Sequence, residues 1–141
     1  VRPLFLALFL AGCPSSGLHG LTPAWQHTTG PLETAQACLP DPGVLEVADA
    51  ALVALLRTAA AQGVVQSYSE AAGRVGRPAI CVVAEPEMCG AVLGAGCTHR
   101  NGIWLMRSKW RELITYELAN WLYLRLGPDR AAWTRVEEAL R

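Results

Sequence analysis

The side chains of this chain that could do chemistry gather in its C-terminal third. Tyr116-Glu117-Leu118-Ala119-Asn120 places a phenol, a carboxylate and an amide within about one helical turn, and Glu137 and Glu138 follow as an acidic pair. A phenol and a carboxylate can exchange a proton, and two or three carboxylates can hold a hard cation. Five cysteines (Cys13, Cys38, Cys81, Cys89 and Cys97) add thiol or disulfide chemistry. Of the three histidines, His19 and His27 lie in a Pro/Gly/Ser/Thr-rich stretch and read as solvated, which leaves His99. A metal site from Cys89, Cys97 and His99 would use a C-x7-C-x-H spacing that matches no common zinc pattern.

The element that must carry Tyr116, Glu117 and Asn120 is the stretch Ser108 to Gly127. Trp110, Leu113, Ile114, Leu118, Trp121 and Leu122 recur there at spacings of three and four, the period of a buried helical stripe. Ser108 is the expected N-cap. Gly127-Pro128 ends the helix, because Gly suits a left-handed cap and Pro cannot continue the ladder. Glu117 falls off that stripe and reads as solvated or paired with an Arg.

With 141 residues the chain can bury one core. Apolar content of 52% against 17% charged residues argues for a folded body. Lys+Arg and Asp+Glu balance at 12 each, so neither nucleic acid nor an anionic surface is an expected general partner.

At the start, Arg2, the apolar run Pro3 to Ala11 and the closing Leu10-Ala11-Gly12-Cys13 resemble a bacterial lipoprotein signal. That resemblance implies removal of residues 1–12, lipidation at Cys13 and anchoring of the exported chain to the bacterial cell envelope. Residues 13–40, rich in Pro, Gly, Ser and Thr, then read as a flexible tether spanning roughly 30 Å. The four remaining cysteines of an exported chain read as two disulfides with three possible connectivities. The short Gly/Ala-rich segment between Cys89 and Cys97 favours Cys89–Cys97, which leaves Cys38–Cys81.

Residues 41–141 read as one α+β domain. Asp41-Pro42 opens a helix whose apolar face is Leu45, Ala48, Leu52, Leu55, Leu56 and Ala59, and Gly63 closes it. Glu46 and Asp49 lie off that face. Val64 to Tyr68 is a candidate strand and Ala71 to Pro78 a loop. Ala79 to Ala84 is the expected central strand, followed by a turn at Glu85-Pro86-Glu87. Cys89 to Cys97 admits either a short helix or a loop. Gly102 to Met106 is a strand leading into the main helix, and Asp129 to Arg141 is a final helix with Ala132, Trp133, Val136 and Leu140 inward.

Tyr116 to Asn120 resembles the H-E-x-x-H helix of zincin metallopeptidases, with Tyr and Asn where that motif has its two His. Gly96-Cys97-Thr98, a short strand and a helix ending in Leu-Gly extend the likeness. Val136-Glu137-Glu138-Ala139-Leu140 is similar to the downstream segment that gives gluzincins a third ligand, at Glu138 or alternatively Glu137. The resemblance implies a short mixed sheet lying over the motif helix between an N-terminal and a C-terminal helix. An edge strand would border the cleft, with Gly102 to Met106 in that place and Trp104 facing cleft or core.

It also implies lost chemistry. A phenol with a pKa near 10 and a neutral amide are poor zinc ligands, and Glu117, at the general-base position, would have no metal-bound water to activate. The expectation is an inactive relative without zinc or other cofactor, binding a peptide or protein in the vestigial cleft. Two other classes remain. One is an active hydrolase using Glu117 with Glu137 or Glu138 around a hard cation, or Tyr116 with Glu117 as an acid/base pair. The other is an exported structural or interaction protein unrelated to zincins.

Overall fold

The computed structural model describes residues 34–141. The signal-like segment 1–12, Cys13, His19, His27 and the tether as far as residue 33 lie outside the described residues. Four helices and a short mixed sheet follow, an α+β fold as expected. In chain order these are α1 (Pro42–Ala61), α2 (Tyr68–Val75), β1 (Ala79–Val83), β2 (Glu87–Cys89), β3 (Val92–Gly94), β4 (Gly96–His99), β5 (Gly102–Met106), α3 (Trp110–Leu126) and α4 (Arg130–Glu138). Among the described residues no helix is long and apolar enough to cross a membrane.

The three-stranded sheet has the order β1-β5-β4, with β1 parallel and β4 antiparallel to the central β5. Alternation along the strands gives each face its own core. Ile80, Val82, Ile103 and Leu105 point to the helices, where they join Leu52, Leu55, Leu56, Ile114, Leu118 and Trp121 in one fully apolar cluster. Truncating any of these leucines to Ala should cost about 2–5 kcal/mol. Cys81, Val83, Trp104 and Cys97 point the other way and form a smaller cluster.

Among the described residues no helix covers that second face; covalent bonds do. Trp104 is in register with Cys81 on one side and Cys97 on the other. Both cysteines are bridged, Cys38–Cys81 and Cys89–Cys97, with Cα separations of 5.0 and 5.6 Å. This is the pairing favoured by the sequence. Closing loops of 43 and 8 residues removes chain entropy worth roughly 4 and 2.5 kcal/mol. The second bridge also straps the two-stranded β2–β3 hairpin to β4.

Several expectations are corrected. Val64 to Tyr68 is no strand: the Val64 and Val65 N–H groups both donate to the Ala59 carbonyl, closing α1 in a turn. Ser67 then caps α2, its Oγ accepting from Glu70 N at 3.2 Å. The expected loop Ala71 to Pro78 is therefore helical as far as Val75, with Ala71 and Val75 buried one turn apart. The N-cap of α3 is Lys109, not Ser108, and its carbonyl accepts from Glu112 and Leu113 N–H. Asp41 does open α1, yet its side chain does not cap it; Oδ2 accepts from Trp110 Nε1 at 2.9 Å and ties the starts of α1 and α3 together.

On α1 the buried stripe includes Val44, while Leu45 only packs at its margin. Leu140 is exposed beyond α4 instead of inward. Residues 34–40, read as the end of the tether, are fastened to the domain. The Leu39 N–H donates to the Val82 carbonyl at 2.7 Å, Cys38 is bridged, and Thr34 and Gln36 donate to the Glu87 carboxylate.

Candidate functional site

Gly102 to Met106, expected to border the cleft, is the central strand, and Trp104 is fully buried core. The border strand is β4; the segment Cys89 to Cys97, left between helix and loop by the sequence, is a β-hairpin leading into its first two residues. Among the described residues β4 pairs with β5 alone. The Met106 N–H donates to the Ala95 carbonyl at 2.7 Å. Carried along the register, this makes Cys97–Trp104 and His99–Gly102 the bonded pairs. The N–H and C=O of Gly96 and Thr98 therefore point away from β5, to the free edge.

That edge opens on a cavity of about 440 Å³ between the hairpin, β4 and α3. Val92 lines the hairpin side, Gly96 and Thr98 the strand side, and Tyr116, Glu117 and Asn120 the helix side, with Arg130 at the start of α4. The close passage of β4 over α3 depends on Gly96: a Cβ there would lie 3.2 Å from Leu105 Cδ2 and 3.4 Å from Glu117 Cγ.

Glu117 is the unusual member. It is only 6% exposed, although the sequence read it as solvated or paired with an Arg. Burial pushes its carboxyl above the ordinary carboxylate range, opposed in part by hydrogen bonds from Thr98 and Asn120. The Thr98 hydroxyl lies 2.9 Å from the Glu117 carbonyl oxygen and 3.2 Å from carboxyl Oε2, and Asn120 Nδ2 donates to Oε1 at 3.4 Å. The threonine hydroxyl is thus placed to donate to the carbonyl or to the carboxyl, and the amide donates to the other carboxyl oxygen.

Tyr116 is 45% exposed and stands on a ridge. On its far side a second cavity of about 470 Å³ is lined by Tyr116, Glu137 and Arg141, and a small crevice joins Tyr116 and Asn120 to Glu137. The acidic residue brought beside Tyr116 and Asn120 is thus Glu137, the alternative position; Glu138 is exposed and lines neither cavity. Glu137 is itself 6% exposed, and Arg141 occupies its carboxylate. Arg141 Nε and its terminal nitrogen donate to Oε1 at 3.1 and 3.0 Å, and Nε stands 2.9 Å from Oε2.

As a donor set for zinc this arrangement fits badly. A phenol and a neutral amide occupy two of the positions, and an arginine holds the one carboxylate near them. Among the described residues no group of three or more His, Cys, Asp or Glu side chains is placed to hold a metal ion. Cys89 and Cys97 are bridged, which removes them as thiolate ligands beside His99.

Thr98, Gly96 and Arg130 were not read as site residues from the sequence. Thr98 was within reach: once Cys97 is assigned to a disulfide on one face of a strand, its neighbour must face the other. No protein-family model matches the chain, and no curated protein or solved structure matches it either.

Proposed function

We propose that this chain is a lipid-anchored protein of the cell envelope, held through Cys13, whose zincin-like domain is catalytically inactive and binds an extended peptide segment in the cleft between β4 and α3. The observation that carries this reading is the setting of Glu117. Its carboxyl is at the general-base position of the motif-like helix and faces a cleft bordered by β4, whose outer backbone groups pair with no other strand among the described residues. The flanking positions hold Tyr116 and Asn120, and Arg141 occupies the neighbouring carboxylate of Glu137. A free strand edge offers an extended chain main-chain hydrogen bonds, while Tyr116, Asn120 and the Glu117 carboxyl offer side-chain donors and acceptors.

The test is elemental analysis and a peptidase screen on the purified protein, alongside titration of labelled extended peptides. Stoichiometric zinc with cleavage would overturn the reading; binding without turnover supports it.

The raised pKa of Glu117 favours a second reading, a general acid beside the Tyr116 phenol in a metal-free hydrolase. Turnover abolished by Glu117→Gln would establish that reading, and turnover unchanged by it would remove this site from any activity found.

A further inference from the structure

Resting on the peptide-binding reading above, we propose that the cleft selects segments bearing a carboxylate, and that Arg130 receives that group at the Thr98 end of β4. The carboxylate has two possible sources, a chain terminus or an Asp/Glu side chain, and the direction of the bound strand decides between them.

The direction of the cleft follows from its contacts. Gly96 lies against Leu113 and Glu117 of α3, Thr98 against Glu117, and the carbonyl of Arg100 accepts from Trp121 Nε1 at 3.2 Å. Strand β4 and helix α3 therefore run side by side in the same direction. Arg130 opens α4 just beyond the end of α3, so it closes the cleft at the Thr98 end. A segment added parallel to β4 brings its C-terminal end there. A segment added antiparallel brings an upstream side chain.

Charge supports the choice. Glu117 and Arg130 are the acid and the base that line the cleft. The Glu117 carboxyl is engaged within the wall by Thr98 and Asn120. Arg130 is exposed, and its guanidinium stacks on the Tyr123 ring, 4.8 Å from the centroid. Among the described residues it meets no carboxylate, unlike Arg74 with Glu70 or Arg141 with Glu137. Stacking fixes the plane of a guanidinium while leaving its N–H fork free for a carboxylate. Asn120, on the same wall, adds an amide donor.

The test uses dye-labelled hexapeptides of alternating Val and Thr, titrated by fluorescence anisotropy onto the intact protein. Four forms are compared: a free or an amidated C-terminus, each with and without one internal Asp. The wild type should bind at least one carboxylate form roughly tenfold more tightly than the amidated, Asp-free form. Preference for the free terminus assigns parallel seating, and preference for the Asp amide assigns antiparallel seating. Arg130→Gln should erase the preference, and Arg130→Glu should transfer it to a peptide carrying Lys. Because Arg130 is exposed, both variants should keep the wild-type circular dichroism.

Equal binding of all four forms by the wild type overturns the carboxylate inference and leaves peptide binding standing. A preference that survives Arg130→Gln also overturns it. Failure of every form to bind overturns the peptide-binding reading and this inference with it.

Discussion

Two glutamates, Glu117 and Glu137, flank the Tyr116 ridge at the same 6% exposure and meet opposite fates. Glu117 is walled in by neutral partners, a threonine hydroxyl and an amide, so burial dominates and favours the protonated form. Glu137 is met by an arginine one turn along, which forms a forked charge-assisted pair. Burial alone therefore does not decide what a carboxyl can do; the charge of its nearest donor does. In the zincin-like reading these are the base and ligand positions. One is a hydrogen-bonded carboxyl in a cleft wall, and the other is paired with an arginine that reaches in from the surface.

The comparison breaks most sharply at Thr98. Thr98→Val keeps the shape of the wall but removes the hydroxyl that Glu117 reaches. Leaving a buried carboxyl and a carbonyl short of a partner should cost about 1–2 kcal/mol in urea unfolding. An unchanged midpoint would mean that this hydrogen bond contributes nothing.

A smaller effect should appear in the pH dependence. Glu117 has a folded pKa above its unfolded value of 4.5. Its contribution to stability is thus complete below that value and is lost as pH rises through the folded pKa. Glu117→Gln keeps a neutral polar group and removes the titration. It should unfold at a higher urea concentration than the wild type at pH 7, with the gap closing toward pH 4. A gap that widens on acidification would reverse the assignment. Glu87 supplies the opposite sign within the same molecule. Hydrogen bonds from Gln36 and Thr34 lower its pKa, so its contribution is present above the ordinary value and fades as pH falls.

The smallest effect is expected at Arg141. Its guanidinium is largely exposed, so Arg141→Gln should shift the unfolding midpoint only slightly. What it should change is the availability of Glu137. In a chain that carries His at 116 and 120, the same substitution should tighten zinc binding, whereas Glu138→Gln should not alter it.

Much of this scaffold was legible in the sequence because its signals were local and periodic. The stripes of α1 and α3 and the β-favouring run Ala79 to Val83 each declare their element without help from the rest of the chain. The Cys89–Cys97 pairing was legible because the two residues are close in sequence. Val64 to Tyr68 misled because Val-Val favours a strand, while the capping pattern Ser67-x-x-Glu70 in the same stretch was the better guide to α2. Strand β4 escaped because its few residues, Gly96 to His99, include Gly and Cys, and its pairing with β5 is a tertiary event.

Within the site, Glu117 was legible as a motif position, yet its burial was not. That burial depends on Gly96 letting β4 pass close over α3, a contact between residues far apart in sequence. The Glu137–Arg141 pair has the i,i+4 spacing of a helix salt bridge and could have been read directly.

The most direct measurement is zinc content, by elemental analysis after dialysis against zinc and then against buffer, of the wild type and of the Tyr116→His/Asn120→His double variant. No bound zinc is expected in the wild type and close to one equivalent in the double variant, because two imidazoles would then stand one turn apart beside Glu137. Zinc retained by the wild type, or a double variant that is folded by circular dichroism yet holds none, would contradict the zincin-like reading.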